Sequence, residues 1–332
     1  MTRLQSGRFC GCFSLNCGAV AALAFASSAA FAQSYPLKPV RIVTGFGPGG
    51  STDVIARLVG QKLAEHFPQP FVVENRRGAS TALAAERVAS SPADGHTLLL
   101  LASSTMSQSA LRKAALPYDL ENDFVHIGLL AVGPFVLVAH PSVPVTDAGE
   151  LIKLARARPG RLNYGSPGVG SVNHLAALIF NQRAGLKMTH IAYKGSSEAT
   201  VANASGQIDL SFPSVPAALP LIEQRRVRAL AVTGARRTPV LPGVPTIAES
   251  ALPGYEYSGA IGLSAPAATP RDIVNRLNAA IVALVNTPEL REAIGKSGFE
   301  AQTSSSEQFA AFVRDDIAKI VAVVKGSGLQ AD

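Results

Sequence analysis

The sequence predicts an α/β protein of two lobes, each a mostly parallel sheet flanked by helices, with two crossover strands as a hinge. Three observations support this. Apolar strand segments alternate with helical segments, the alternation comes in two similar series, and several strands are apolar at nearly every position. Continuously apolar strands are typical of parallel sheets buried on both faces. The length of 332 residues suffices for about two such units.

The first series of elements occupies residues 40–101. Its helix at 54–66 places Ile55, Leu58, Val59 and Leu63 on one side, which is the spacing of an amphipathic helix. The other predicted elements are strands at 40–45, 71–73 and 97–101 and a helix at 82–89.

The second series occupies residues 135–232 and repeats the alternation. We predict strands at 135–139, 162–164, 189–192, 208–212 and 228–232, and helices at 148–157, 172–183 and 198–205. A stretch rich in proline and glycine follows at 239–253. The chain then has a strand at 261–264 and helices at 273–285 and 306–323.

Two apolar segments, 135–139 and 259–265, are followed by Pro141 and Pro266, and we interpret them as the crossovers between the lobes. On this interpretation lobe 1 consists of residues 33–134 plus 260–332, and lobe 2 of residues 135–259. The C-terminal helices would then return to lobe 1.

The first 32 residues have the pattern of a cleavable export signal. Arg3 and Arg8 form a positive start, an apolar stretch follows at 18–26, and Ala30 and Ala32 are the small residues before cleavage at Gln33. We therefore predict a signal peptide at 1–32 and a periplasmic protein; the alternative is a buried N-terminal helix. All three cysteines lie in this segment, so no disulfide is expected in the exported part.

Charge is sparse and dispersed. Charged residues make up 16% of the chain, against about 25% in typical soluble proteins. The formal charge of +7 includes no basic cluster longer than two arginines, and tryptophan is absent, which argues against a nucleic-acid partner. No apolar run after the N-terminal segment reaches the about 18–20 residues that a membrane span needs.

Three glycine-rich loops join a predicted strand to a predicted helix: loop one at 45–53, loop two at 76–81 and loop three at 165–171. Glycine lets the backbone approach a ligand closely, and the helix that follows begins with unpaired N–H groups. Such loops bind anions, and the carboxyl ends of parallel strands are where α/β sheets bind ligands. Plain helix capping is the alternative for each loop.

Other chemistries find less support. Gly45, Gly47 and Gly50 have the spacing of a dinucleotide-binding fingerprint, but Pro48 stands inside the turn. Gly45 and Gly50 also have the spacing of a Walker phosphate-binding loop, but Ser51 stands in place of its lysine. The histidines are scattered without metal-ligand spacing, and no serine lies in a G-x-S-x-G elbow. We predict no metal, no cofactor and no catalysis.

We predict a ligand site built from the three loops, the serines after the third strand and the strand ends of the second lobe. Three members have structural alternatives: Asp53 can face the helix dipole, His174 can fold back on loop three, and Lys194 can be solvated. The predicted contacts are Phe46, Gly47, Gly49, Gly50, Thr52, Asp53, Ala79, Ser80, Thr81, Ser103, Ser104, Ser166, Gly170, Ser171, His174, Tyr193, Lys194 and Pro213.

The order of short motifs resembles the Bug or TctC-like family, the periplasmic substrate-binding proteins of tripartite tricarboxylate transporters. The resemblance covers residues 35–330. In the first half it rests on residues 47–53, 73–79 and 92–99. In the second half it rests on residues 164–171, 174–176, 193–195, 206–210, 228–232 and 241–246 with Glu249.

The resemblance implies a periplasmic-binding-protein-like fold with a small carboxylate held between two lobes by backbone N–H groups and ordered waters. It also implies delivery to membrane permease subunits without chemistry, and we expect a monomer. Two alternatives remain. One is an exported α/β enzyme that uses a cleft serine, and the other is a ligand-sensing module for a membrane sensor.

The chain departs from the family pattern at two points. Loop two reads Gly-Ala-Ser-Thr at 78–81, where the family usually has Gly-Ala-Gly-Gly, and Arg77 replaces a usual proline. Pro213 and Ser214 stand where family members that bind amino acids often have an acidic residue for the ammonium group of the ligand. The second departure favours a carboxylate without an amino group.

Overall fold

A computed structural model describes residues 35–78, 81–112 and 116–327, and within them the chain forms two sheets flanked by helices. The first sheet contains β1 (Val40–Thr44), β2 (Phe71–Asn75), β3 (Thr97–Ala102), β4 (Phe124–Pro134), β10 (Ser258–Pro266) and β11 (Glu300–Ala301). The strand order across this sheet is β11-β4-β10-β3-β1-β2.

Most strands of the first sheet share one direction. Strands β1, β2 and β3 pair in parallel, and β10 is antiparallel to both β3 and β4, so β4 runs the same way as the first three. Ile42 and Leu98 pack into the core on one face, and Val43 and Leu99 into the core on the other. The apolar strands are therefore buried on both faces, as the sequence predicts.

The second sheet contains β5 (Val136–Ala139), β6 (Asn163–Ser166), β7 (Thr189–Ala192), β8 (Leu210–Ser211) and β9 (Arg228–Val232). Its order is β7-β6-β8-β5-β9. Only β5 runs against its neighbours, so this sheet is also mostly parallel. Leu137, Tyr164, Phe180 and Leu210 belong to the core cluster of this half.

The described helices surround the two sheets. They are α1 (Ser51–His66), α2 (Ala82–Ala89), α3 (Ser103–Arg112), α4 (Ala148–Ala157), α5 (Val172–Ala184), α6 (Ser196–Ala204), α7 (Val215–Glu223), α8 (Ile247–Ser250), α9 (Arg271–Val285), α10 (Pro288–Lys296) and α11 (Ser306–Ser327). None of these described helices is both long enough and apolar enough to cross a bilayer.

The sequence analysis did not predict β4, β11, α3, α7, α8 or α10, and for β4, α3 and α7 a physical reason can be given. Strand β4 is separated from β5 by a single residue, Phe135, so no turn residue marks its end. Helix α3 is rich in serine, a residue that favours caps and turns over helix interiors. Helix α7 contains Pro216 and Pro220, but Pro216 stands in the first turn, where a missing N–H is tolerated.

The chain passes between the sheets twice, and Thr233 ties the two crossings together. The Phe135 N–H donates to Thr233 Oγ1 at 2.8 Å, and the Tyr257 N–H donates to the Thr233 carbonyl at 2.9 Å. The rings of Phe135 and Tyr257 stack with centroids 6.1 Å apart. The segments predicted as crossovers begin at these crossings and then run inside the sheets, 135–139 in the second and 259–265 in the first. The lobe boundaries at 134/135 and 259/260 stay a prediction.

Helix α11 packs on both cores. Phe309 and Val313, near its start, lie in a core cluster of the first sheet, whereas Ile320, further along, lies in the core of the second. The Gln182 amide of α5 also donates to the Val323 carbonyl at 2.6 Å. The last helix therefore packs first on a core of the first sheet and then on the core of the second.

Candidate functional site

The buried carboxylate of Asp53 holds loop one. Asp53 is 1% exposed and accepts hydrogen bonds from the Gly49 N–H at 3.0 Å, Arg57 Nε at 2.9 Å and Asn75 Nδ2 at 2.7 Å. Burial by itself would raise the pKa of Asp53, but the hydrogen bonds from Arg57, Asn75 and Gly49 outweigh it and hold the pKa below its usual value. The Asn75 amide also donates to the Phe46 carbonyl at 3.0 Å, so Phe46 is fixed from the same centre.

The tip of loop one is open. Gly49 has a φ of +83°, and no atom outside its chain neighbours lies within 4 Å of the place where a Cβ would stand. Helix α1 begins after Gly50 without a side-chain cap. Gly47 and Thr52 flank this tip and are half-buried. The first N–H groups of α1, which no preceding turn can pair, are therefore available to a ligand or to water.

Loop two lies directly against loop one. A Cβ on Gly45 would stand 2.5 Å from Thr81 Cβ, so only glycine allows this approach. Thr81 has a φ of 82°, an uncommon conformation for a β-branched residue, and its hydroxyl donates to Thr105 Oγ1 at 2.8 Å. The left-handed backbone agrees with the glycine that the family usually has here. The predicted contacts Ala79 and Ser80 lie outside the described residues.

Loop two also brings a cation to loop one. A Cβ on Gly47 would lie 3.3 Å from Arg77 Cδ and 3.6 Å from Arg77 Nη1, so the Arg77 side chain runs beside the backbone of loop one. Its neighbour Arg76 is paired with Glu74 through Nε. The arginine that departs from the family pattern is thus the one that reaches the predicted anion site.

The predicted serines stand where β3 passes into α3. Ser103 Oγ accepts a hydrogen bond from the Ala260 N–H at 2.8 Å and ties α3 to β10. Ser104 Oγ is buried and has no hydrogen-bond partner among the described residues. A buried hydroxyl without a partner costs about 1–3 kcal/mol, so Ser104 is the predicted contact with most to gain from a ligand.

Loop three is closed by its own side chains. Ser171 caps α5, since its Oγ accepts from the His174 N–H at 3.2 Å and donates to the Gly168 carbonyl at 2.8 Å. His174 Nδ1 accepts from the Gly170 N–H at 3.1 Å. His174 thus folds back on loop three, the structural alternative named for it. Gly170 also approaches α3, because a Cβ there would lie 2.1 Å from Leu111 Cδ1.

The rings of Tyr164, His174 and His190 pack against one another beside loop three. The centroids of His174 and His190 are 4.1 Å apart, and Tyr164 stacks on both rings. His190 Nε2 lies 2.7 Å from Ser166 Oγ. Burial, with a contribution from His190, lowers the pKa of His174 to about 3, and burial lowers the pKa of His190. Both rings are therefore neutral at pH 7.

The remaining second-lobe residues follow β7 and β8. The Tyr193 N–H donates to the Ser166 carbonyl at 2.9 Å, and the exposed Lys194 donates its N–H to Glu198 at 3.0 Å. Pro213 is buried and, with Ser166, lines a small pit at the carboxyl ends of β6 and β8. None of the residues that line this pit is charged.

Comparison with known proteins decides the family. Residues 55–329 match the tripartite tricarboxylate transporter family receptor, TctC. The chain belongs to this family. The resemblance drawn from the short motifs is thereby confirmed.

Two relatives illustrate how much of the chain the TctC family covers. A UPF0065 protein in the tcbD-tcbE intergenic region of Pseudomonas sp. strain P51 is 38% identical over 293 residues, 87% of either chain. Protein BugT of Bordetella pertussis is 33% identical over 298 residues, which are 90% of this chain and 91% of BugT.

Two solved structures at more than 30% identity share the fold. Rpa4515 of R. palustris with adipate superposes with a TM-score of 0.78 at 36% identity and covers 89% of this chain and 99% of its own. MatC of Rhodopseudomonas palustris with bound malate gives 0.73 at 32% identity and covers 87% of this chain and 100% of its own. These similarities confirm the predicted two-lobed fold of a periplasmic binding protein.

Within this TctC-family chain, the predicted residues collect at the carboxyl ends of β1–β3 and of β6–β8. Sequence analysis missed Arg57, Asn75, Thr105 and His190, which fix the loops from other elements. The i, i+4 spacing of Asp53 and Arg57 offered a signal, and Asn75 lies in the motif at 73–79, but the contacts of Asn75, Thr105 and His190 join residues that are distant in sequence. Among residues 35–78, 81–112 and 116–327, no group of three or more His, Asp, Glu or Cys side chains is arranged to hold a metal.

Proposed function

We propose that this TctC-family receptor captures a small carboxylate without an amino group in the cleft between its lobes and delivers it to a membrane transporter. One observation carries the proposal. Backbone and hydroxyl donors collect at the carboxyl ends of the strands, while the loop-one carboxylate, Asp53, is already engaged by Gly49, Arg57 and Asn75. The second-lobe pit offers no charged side chain either. The described loops therefore offer donors to an anion, whereas the carboxylate of loop one is already paired.

The relatives support the ligand class. Rpa4515 is described with adipate and MatC with malate, and both ligands are carboxylates without an amino group. A hydrogen bond from a backbone N–H to a charged carboxylate contributes about 1.5–3 kcal/mol. Several such bonds are enough for micromolar affinity, which corresponds to about −8 kcal/mol. We take the ligand contacts of this chain from the predicted ones. Ser104, whose hydroxyl has no described partner, and the first N–H groups of α1, which have no side-chain cap, are the donors left for a ligand.

Export is the expectation from the sequence pattern of residues 1–32, and it agrees with membership of a family of transporter receptors. The predicted signal peptide, residues 1–32, lies outside the described residues. We propose a periplasmic monomer, divided into the lobes given above, that hands its ligand to permease subunits. The alternative partner is a membrane sensor.

An exported enzyme is the other class of function, and it needs an activated serine. Ser166 does lie 2.7 Å from His190 Nε2. However, Ser166 is 0% exposed, and its hydroxyl also bonds the N–H and carbonyl of Gly168. The pair therefore supports loop three in our proposal, and TctC is a family of receptors.

The ligand class is tested by thermal shift with adipate, malate, citrate, glutamate and aspartate. A ligand at 100 times its dissociation constant adds about 2.7 kcal/mol to the free energy of unfolding, a readily measured shift. We expect the largest shift from an unaminated carboxylate. A larger shift with aspartate or glutamate would contradict the absence of an amino group, and no shift with any carboxylate would contradict the ligand class.

Ser104→Ala tests the site with Ser90→Ala as its control. Ser104 Oγ has no described partner, whereas Ser90 is exposed at the end of α2 and donates to the Glu86 carbonyl at 2.9 Å. We expect Ser104→Ala to weaken carboxylate binding by about 0.5–1.5 kcal/mol and Ser90→Ala to leave it unchanged. Equal affinities in both variants would remove Ser104 from the site.

A further inference from the structure

The side chain of Arg77, which departs from the family pattern in loop two, lies against loop one. A Cβ on Gly47 would stand 3.3 Å from Arg77 Cδ, 3.6 Å from Nη1 and 4.0 Å from Nε. Because Gly47 has no side chain, three atoms of the arginine can follow its backbone without crowding. Gly47 stands three residues before Gly50, the N-cap of α1. The guanidinium therefore lies near the part of loop one that leads into the uncapped N–H groups of α1.

The acidic side chains around loops one and two are balanced without Arg77. Asp53 pairs with Arg57 at 2.9 Å, and Glu74 pairs with Arg76 through Nε. Each carboxylate thus has an arginine of its own. The charge of the third arginine remains uncompensated by these two pairs.

Arg77 is exposed, and among the described residues it forms no hydrogen bond or ion pair. A guanidinium stays charged at neutral pH and offers five N–H donors in a planar fork. Two oxygens of one carboxylate fit this fork side by side. An unpaired arginine beside an anion loop is therefore suited to hold an acidic group of the ligand.

A first acidic group has donors of its own nearby. The first N–H groups of α1 have no side-chain cap, and the Ser104 hydroxyl is buried without a described partner. The strand order β3-β1-β2 places loop one in the middle, the start of α3 with Ser104 on one side and loop two with Arg77 on the other. Neighbouring strands are about 4.8 Å apart, so the two outer connections are separated by about 10 Å. A small molecule with an acidic group at each end matches this arrangement.

Lys194 is the other cation to compare, since it belongs to the predicted contacts of the second sheet. It is exposed, and its backbone N–H donates to Glu198 at 3.0 Å. It follows β7, the edge strand of that sheet. Within the part of the chain that the structure describes, its ammonium group forms no hydrogen bond or ion pair with any of the three loops. Arg77 is thus better placed than Lys194 to act together with an anion loop.

We propose that Arg77 is a specificity-determining residue whose guanidinium binds a second acidic group of the ligand, so that this receptor prefers dicarboxylates to monocarboxylates of the same length. The inference rests on the proposed function, because it names the class of carboxylate that the same site takes. One end of a dicarboxylate meets the neutral donors of α1 and Ser104, and the other end meets the charged fork of Arg77. A monocarboxylate leaves one of these two sets of donors to water.

The test compares acids of equal chain length. Adipate is paired with hexanoate and succinate with butyrate, and each is titrated by calorimetry into the purified protein at pH 7. We expect the tighter-binding diacid to exceed its monoacid at least tenfold in affinity. In Arg77→Gln this ratio should fall at least about fivefold, chiefly through weaker binding of the diacid, because hydrogen bonds between two charged groups are roughly twice as strong as neutral ones.

Arg271→Gln is the matched control, since it removes the same unit of charge. Arg271 is exposed and pairs with Glu307 at 3.4 Å. It follows the end of β10, where Pro266 pairs with Phe124 at the start of β4, so it stands at the edge of the sheet opposite the loops. We expect the ratio of diacid to monoacid affinity to stay at its parental value, with thermal melts to confirm that both variants fold.

Four results would overturn the role of Arg77. They are monoacids that bind as tightly as their diacids, an unchanged ratio in folded Arg77→Gln, an equal fall of the ratio in Arg271→Gln, or a fall in Lys194→Gln that exceeds the fall in Arg77→Gln. The third would mean a general effect of net charge, and the fourth would place the second acidic group at the second sheet. All four leave carboxylate capture standing. The proposed function itself fails, and Arg77 with it, if neither these four acids nor the carboxylates of the thermal-shift panel bind.

Discussion

Replacing Gly49 by leucine tests whether loop one binds an anion or only begins a helix. Gly49 has a φ of +83°, and a Cβ there would meet no atom within 4 Å. The added side chain therefore clashes with nothing in the protein, and its cost comes from the left-handed backbone, about 1–2 kcal/mol. The core residues lie behind the loop, so the fold should persist with a melting temperature lower by a few degrees.

Gly49→Leu should weaken carboxylate binding more than it lowers the stability of the fold. The Gly49 N–H is itself taken by Asp53 at 3.0 Å, so the donors left for a ligand are those at the start of α1. A leucine at the open tip covers these donors and shifts the backbone that aims them. We expect carboxylate affinity to fall at least tenfold, which is about 1.4 kcal/mol.

Gly160→Leu is the matched control. Gly160 has a φ of +72°, and its Cβ position is also empty within 4 Å, but it precedes the amino end of β6, away from loop three. It should lose the same stability and keep full affinity. Calorimetric titration of the carboxylate, with circular dichroism and thermal melts of each variant, separates the two effects. A folded Gly49→Leu protein with unchanged affinity would show that loop one is only a helix cap.

Three further predictions follow from other contacts. Gly45→Ala should lower the free energy of unfolding in urea by well over 1 kcal/mol, since its Cβ would stand 2.5 Å from Thr81. Gly60→Ala, where the nearest atom to the added Cβ is 3.4 Å away, should raise it by about 0.5–1 kcal/mol. Equal effects of the two substitutions would contradict the contact between loops one and two. Burial lowers the pKa of His126 to about 4, so only the unfolded chain binds this proton between pH 6.5 and 4. The share of His126 in the loss of stability across this range should be roughly 3 kcal/mol as pH falls, in addition to the share of His174. His126→Asn should therefore reduce the total loss by about that amount, and an unchanged loss would contradict this share. Ser171→Ala removes the cap of α5 and should cost about 1 kcal/mol of stability. It should weaken carboxylate binding less than Gly49→Leu does, because the Ser171 hydroxyl is already engaged within loop three. A titration that shows the larger loss of affinity for Ser171→Ala would contradict this order.

The loops could be predicted because their signals are local. A glycine at positive φ, such as Gly49 or Gly170, is a requirement of the backbone at that residue, and a strand followed by a helix places the loop at the carboxyl end of the strand. The order of these short motifs was also enough to indicate the family. By contrast, the serine-rich start of α3 and the prolines of α7 work against helix propensity, and packing overrides it there.

The sequence by itself determined the class of fold, the two series of elements and the loops that gather at the strand ends, because periodicity, turn chemistry and motif order act over a few neighbouring residues. Only the tertiary structure decided which side chains hold the loops of the site in place through hydrogen bonds. Asp53 and Asn75 are 22 residues apart and meet at 2.7 Å, and Ser166 meets His190 over 24 residues. A cavity lined by Val132, Tyr257, Phe299 and Phe312 is the extreme case, since its walls come from strands, helices and loops that are far apart in the sequence. Contacts of this kind depend on how the sheets pack, and no local pattern encodes them.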